Sequence, residues 1–216
     1  MFFLFLDSTQ SNGQISIIYI KNSDFLIETS TFQECSSLSE ISIQGLDSFY
    51  CHAIYIDENL NHKVSINGCN FLGNGNSGDP VGTLIFSNKA DNIEISFSQF
   101  KSDTISTRAF QSYDTSTLIF SSNTFSKMTG PKGQNGGALL IQLATDVSIT
   151  DCIFDSNALQ PGSSGDVSGS AFYINLKGDL TFTNNTISNH QKYLNSVIIF
   201  NKNEIDANFN FRFKIQ

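Results

Sequence analysis

Tryptophan is absent, and proline occurs only three times in 216 residues. Basic residues are scarce: 12 against 20 acidic ones, a net charge of -8. Only two of the basic residues are arginines, Arg108 and Arg212. Neither nucleic acid nor an anionic membrane offers such a chain Coulombic attraction, so both are excluded as partners. The four cysteines, Cys35, Cys51, Cys69 and Cys152, form no C-x-x-C pair, so the usual zinc and redox spacings are missing. No apolar run reaches the roughly 20 residues of a membrane-spanning helix, so no direct membrane insertion is expected in this segment. Met1-Phe-Phe-Leu-Phe-Leu-Asp7 begins like a signal peptide. It has no basic start, and its apolar run falls short of the roughly 7–15 residues a leader needs. Residues 1–15 therefore read as an N-terminal lead or cap strand.

What is present is 30 Ser, 22 Asn and 20 Phe, with abundant Ile and Leu. Polar turn formers beside β-branched and aromatic residues favour short strands joined by polar turns. One eight-residue frame recurs six times: apolar, any, apolar, four mostly polar residues, then Phe or Ile. The copies begin at Phe25, Val64, Ile93, Leu118, Val147 and Leu180 and end at Phe32, Phe71, Phe100, Phe125, Phe154 and Ile187. A second frame, a small or polar residue followed by an apolar run, starts at 16, 52, 82, 108, 137, 170 and 196. Fixed spacing inside a copy with variable connections between copies is what stacked coils demand. There is no apolar stripe of helical period. The expected fold is therefore all-β, a parallel β-helix (solenoid) of about seven coils over 16–200. Residues 201–216 form a terminal strand or the start of a further coil, and 36–51 an insertion or a degenerate half-coil.

Coils stacked about 4.8 Å apart place equal repeat positions in columns. Phe32, Phe71, Phe100, Phe125, Phe154 and Ile187 then form an internal structural ladder. Cys69 and Cys152 share one column three coils apart, too far to bridge. Cys35 and Cys51 flank the odd 36–51 segment and form the one candidate disulfide. Asn74 and Asn157 share a turn position that other copies fill differently. Function is expected on the variable loops, above all 72–81, 126–136 and 155–169.

Gly136-Gly-Ala-Leu-Leu-Ile141 resembles the G-G-A-[ILV] element of polymorphic outer membrane protein repeats. Phe71-Leu-Gly-Asn74 and Phe154-Asp-Ser-Asn157 resemble their partner element, F-x-x-N. The resemblance implies the single-stranded right-handed parallel β-helix shared with pectin-lyase-like proteins. It also implies an extracellular or cell-surface location and an adhesive role. The chain departs from the pattern where Cys35, Asp103 and Met128 replace the Asn of F-x-x-N.

Catalytic chemistry is hard to find. Polysaccharide-cleaving carboxylates must face each other across a bond, roughly 5–10 Å apart, and no Asp-Asp pair occurs. Arg212-Phe-Lys214 has the R-x-K spacing of polygalacturonases but stands alone in a terminal strand. His52, His62 and His190 lack metal spacing and read as surface or turn residues. The turn carboxylates Asp79, Asp91, Asp146, Asp166 and Asp179 are the only basis for a weak calcium site, and solvated turns explain them better. No other cofactor is expected. Asn184-Asn-Thr186 is the one glycosylation sequon.

The expected function is a non-catalytic module of a secreted or cell-surface protein, adhesive or structural, meeting a protein or glycan partner on a lateral face or on its loops. One alternative is a diverged β-helix polysaccharide lyase or glycoside hydrolase. Another is a fragment of a larger surface stalk protein.

Overall fold

The computed structural model describes residues 18–33, 40–41, 49–73, 82–102, 107–131, 134–159, 169–190, 198–202 and 209–215, with 40–41, 49, 198–202 and 209–215 described by backbone alone. Among the described residues there is no helix. The chain is a β-solenoid of parallel strands stacked coil on coil.

The first sheet stacks Ile18–Ile20, Phe49–Asp57, Gly82–Asn88, Thr107–Tyr113, Leu139–Ala144, Phe172–Leu176 and Ile198–Lys202, each parallel to the next. The second face stacks Phe25–Glu28, Lys63–Asn67, Asn92–Ser96, Thr117–Ser121, Asp146–Thr150 and the first half of Leu180–Ser188. The third stacks Thr31–Gln33, Asn70–Gly73, Gln99–Ser102, Thr124–Ser126, Ile153–Asp155 and the second half of Leu180–Ser188. Phe209–Ile215 lies parallel to Leu180–Ser188 and continues the second and third faces of the turn that Ile198–Lys202 opens.

The expectation of about seven coils is corrected to about four. Four turns have three separate strands and a neighbour on both sides: those opened by Phe49–Asp57, Gly82–Asn88, Thr107–Tyr113 and Leu139–Ala144. The first turn is stacked on one side only among the described residues, and in the sixth a single strand runs across two faces. Counting frames counted these partial turns as whole ones.

The eight-residue frame is a structural unit. All six copies are in register, from Phe25 opposite Val64 to Phe154 opposite Ile187. The fifth residue of the frame explains the fixed length. Thr29, Gly68, Phe97, Ser122, Asp151 and Asn184 all have φ between 48° and 63°. This left-handed residue turns the corner between the second and third faces, and its N–H donates to the following coil, as Gly68 N–H does to the Ser96 carbonyl at 2.9 Å. One residue more or fewer would turn every later side chain from the core to solvent.

Inside, the Phe ladder is stacked. Phe32, Phe71, Phe100, Phe125 and Phe154 have successive ring centroids 4.6, 4.7, 5.0 and 4.9 Å apart and tilts of 13° or less. The sixth frame residue bridges coils at two rungs. Asn123 accepts from Ser98 N–H (2.9 Å) and donates to the Ile95 carbonyl (2.7 Å). Asn185 does the same for Cys152 N–H and the Ile149 carbonyl, both at 2.8 Å. Asn157 serves Met128 N–H and the Phe125 carbonyl one corner later. These side chains satisfy backbone groups that the corners would otherwise leave buried and unpaired.

Two further expectations change. The first-sheet frame assigned to 82 starts at 83, because Ile54 pairs with Ile85 and Arg108 with Thr83. Gly82 looks like the small residue that opens a frame. It is instead a close-packing position, where a Cβ would collide with the Tyr50 carbonyl and the His52 ring. The 36–51 segment is an insertion and not a half-coil where it is described, since Glu40–Ile41 pairs antiparallel with Phe49 and Tyr50.

Candidate functional site

The outward columns of the first sheet gather most of the described tyrosines. Register places Tyr19, Tyr55, Phe86, Gln111, Leu140 and Tyr173 in one column. Phe86, Gln111 and Leu140 are buried, whereas Tyr19 is 56% exposed and Tyr55 partly so. The open part is therefore the Tyr19–Tyr55 end. The two rings meet edge to face, with centroids 5.4 Å apart. Tyr55 lies against the buried Phe86 of the next coil at 5.6 Å, which anchors the pair within the column.

A polar group sits beside the rings. Tyr19 Oη donates to Asp57 Oδ2 at 2.9 Å, and Asn88 Nδ2 to Asp57 Oδ1 at 2.9 Å. Lys21 Nζ reaches Asp57 at 3.5 Å and Glu58 at 2.8 Å. Burial alone would raise the Asp57 carboxyl. The hydrogen bonds from Asn88, Tyr19 and Tyr55 and the charge of Lys21 outweigh it and hold Asp57 below the usual carboxylate range. Burial, then the negative charge of Asp57, pushes the Tyr55 hydroxyl up, so it remains a neutral donor. The patch presents aromatic faces and hydroxyls, with its charges internally paired.

Arg108 is the residue that spacing hid. It occupies the position of Thr83, Gly137 and Ser170 and is fully buried. Nε donates to the Gly136 carbonyl (2.8 Å), Nη2 to the Asn135 carbonyl (2.7 Å) and Nη1 to Gln111 Oε1 (2.6 Å), with Gln134 Oε1 at 3.4 Å. Burial lowers its pKa to about 9, so the guanidinium remains charged near neutrality. It ties down the end of the 126–136 loop. Part of that loop is scaffold in its own right, since Thr129–Gly130 pairs with Ala158–Leu159. Gly136 and Gly137 make the tie possible. Gly136 is left-handed at φ 76°, and a Cβ on Gly137 would collide with the carbonyls of Ser170 and Ala158.

The remaining expected sites are dispersed. Cys69 and Cys152 share a column and are buried free thiols. Burial raises both, Cys152 to about 12. Cys51 is buried with Sγ 3.0 Å from the Ile54 carbonyl, while Cys35 lies outside the described residues. His52 is buried in a strand of the first sheet, which corrects its reading as a surface or turn residue: it fills the space beside Gly82. His62 lies 3.4 Å from Asp24. Asp91 binds Asn61 N–H and Ser116 Oγ. Asp146 and Asp179 are exposed on adjacent coils, and Asp79 and Asp166 lie outside the described residues. No described group of three His, Cys, Asp or Glu side chains is placed to hold a metal ion. Asn184 of the sequon is an exposed left-handed corner residue. Asn74 lies outside the described residues, as do the side chains of Arg212 and Lys214.

No family model, curated protein or solved structure matches this chain. The geometry of the site therefore stands by itself.

One titratable clasp closes the third corner. Asp155 accepts from Ser188 (2.7 Å), Asn189 (2.8 Å) and Ser156 (3.1 Å), and these bonds hold its carboxyl low. His190 places Nδ1 3.0 Å from the Asn157 carbonyl and Nε2 3.2 Å from the Phe154 carbonyl. Burial outweighs these carbonyls and lowers its pKa. A group with a depressed folded pKa binds protons more readily when unfolded, so acid destabilises the fold. Thermal melts are expected to show stability falling as pH drops below about 6.5 through the His190 range, then again in the carboxylate range near 4. Asp24, Asp57 and Asp155 contribute to the second fall. His190→Gln is expected to abolish the first fall alone; a rise in stability on mild acidification would contradict the assignment.

Proposed function

We propose that this chain is a non-catalytic recognition module of a secreted or cell-surface protein, binding through the Tyr19–Tyr55 patch of the first sheet. The observation that supports it is the exposed Tyr19 ring. A solvent-facing aromatic, braced by Tyr55 and tethered through its hydroxyl to Asp57, is a pre-positioned ring suited to a ligand. The resemblance to polymorphic outer membrane protein repeats and to the right-handed pectin-lyase-like helix points the same way, towards an adhesive surface role, membrane-associated through a larger assembly. The exposed Asn184 sequon fits an extracellular setting.

The polysaccharide-cleaving reading would need carboxylates such as Asp146 and Asp179, exposed at corresponding corners of adjacent coils, to face each other across a bond. The test is to incubate the purified protein with a panel of polysaccharides and extracellular matrix proteins and to assay products and retention separately. Retention without products, lost in Tyr19→Ala, is expected. Formation of new reducing or unsaturated ends by the wild-type protein would overturn the proposal.

A further inference from the structure

We infer that the ligand of the Tyr19–Tyr55 patch is an uncharged glycan, held by ring stacking and hydroxyl hydrogen bonds and not by charge; this rests on the recognition reading above.

The charges near the rings are already committed. Lys21 is within 3.5 Å of Asp57 and 2.8 Å of Glu58, and Asp57 also accepts from Tyr19 and Asn88. One cation against two carboxylates leaves this patch at about -1 by formal count, on a chain of -8. A uronate, sulfated or sialylated polymer would meet repulsion on approach and no unpaired cation on arrival. A basic peptide would have to break Asp57 away from its partners, at the cost of leaving the buried Asn88 amide unmatched.

The size of the patch argues against a protein partner. Going up the column, the open rings are followed by Phe86, which is fully buried. Among the described residues at this end of the column, the exposed rings are Tyr19 and the accessible part of Tyr55, separated by buried Phe86, Gln111 and Leu140 from the partly exposed Tyr173. A stable protein interface buries about 800 Å² on each side around an apolar core. Two tyrosine faces fall far short of that. They do match one or two pyranose rings, whose C–H faces stack on the electron-rich face of an aromatic ring while equatorial hydroxyls point to the rim. At the rim the Tyr19 and Tyr55 hydroxyls donate to Asp57, which leaves their oxygens as acceptors for sugar hydroxyls.

The experiment is calorimetric titration of the intact protein with neutral oligosaccharides (gluco-, manno-, xylo- and N-acetylglucosamine oligomers), with an oligouronate, and with the matrix proteins retained in the preceding assay. At least one neutral oligosaccharide is expected to bind. Its affinity is expected to change less than about twofold when salt rises from about 0.05 to 0.5 M, because screening weakens only Coulombic attraction. Tyr19→Ala is expected to weaken binding by about tenfold or more, corresponding to about 1.4 kcal/mol. Tyr19→Phe, which keeps the ring, is expected to stay within about threefold of wild type, since stacking carries most of the aromatic contribution. Tyr19 is an exposed side chain of the first described coil, and a melting curve for each variant confirms that the fold is retained. Preferential, salt-sensitive binding of the oligouronate would overturn the inference and leave the recognition proposal standing. Tyr19-dependent binding of a protein with no glycan binding would do the same. Binding of neither class by the wild type would overturn both.

Discussion

Phe100→Ala is expected to destabilise the protein by about 3–5 kcal/mol, the range for truncating a well-packed core aromatic. Phe100 is the middle rung of the ladder. It stacks on Phe71 at 4.7 Å and on Phe125 at 5.0 Å and is fully buried. Truncation removes ring contacts on both sides, and the cavity cannot close easily. The rungs above and below are fixed by parallel strand pairing at Gln99 to Lys101, so the neighbouring rings cannot move together. Urea denaturation followed by circular dichroism gives the number. Phe32→Ala supplies the contrast. That ring stacks on Phe71 but lies on the outermost described rung and is 8% exposed, so a smaller loss is expected. Equal losses at the two positions would show that the ladder is not the continuous packed column described above.

Arg108→Met is expected to cost about 3 kcal/mol or more, although it replaces a costly buried charge by an apolar chain of similar length. The guanidinium supplies donors to the Gly136 and Asn135 carbonyls and to Gln111. Methionine removes the donor from the buried Gly136 carbonyl and Gln111 Oε1, each unmade bond worth about 1–3 kcal/mol, and from the partly buried Asn135 carbonyl. None of these partners is a carboxylate, so no opposite charge is stranded and the effect comes from unmade hydrogen bonds. Arg108→Lys is also expected to destabilise, because an ammonium cannot reproduce the planar fork that serves Nε and both Nη atoms. Hydrogen exchange separates this mechanism from general weakening: in Arg108→Lys, faster exchange is expected first at 134–139. Uniformly faster exchange across the first sheet would contradict the local tie.

These two residues also mark how far the sequence could be read. The ladder was legible because Phe sits at one fixed offset in the eight-residue frame, and packing columns follow from offset alone. The same offset logic placed Cys69 and Cys152 in one column. It failed at Gly82, where a small residue in a strand has two explanations, a frame start or a close approach. Only the collision of a Cβ with the Tyr50 carbonyl decides between them. Arg108 was hidden because its partners are mostly backbone carbonyls brought in from 135–136, and carbonyls leave no mark in a sequence. The bridging roles of Asn123 and Asn185 were closer to legible. Both fill the sixth frame position, which is Ser or Cys in the other copies. The tyrosine patch was half legible: Tyr19, Tyr55 and Tyr173 share a frame position, but exposure depends on what lies above, and Phe86 in the same column is buried.

The corner hydrogen bonds give the molecule a mechanical grain. Thr29 N–H bonds the Asn67 carbonyl, Gly68 that of Ser96, Phe97 that of Ser121, Ser122 that of Thr150 and Asp151 that of Thr183. Each coil is clipped to the next by the same short links, with the Asn bridges as rivets at some rungs. A pull along the axis loads these links in parallel within one coil and in series between coils. The solenoid therefore yields by shedding whole turns from an end, like a spring whose windings are glued together, and the turns still wound keep their shape.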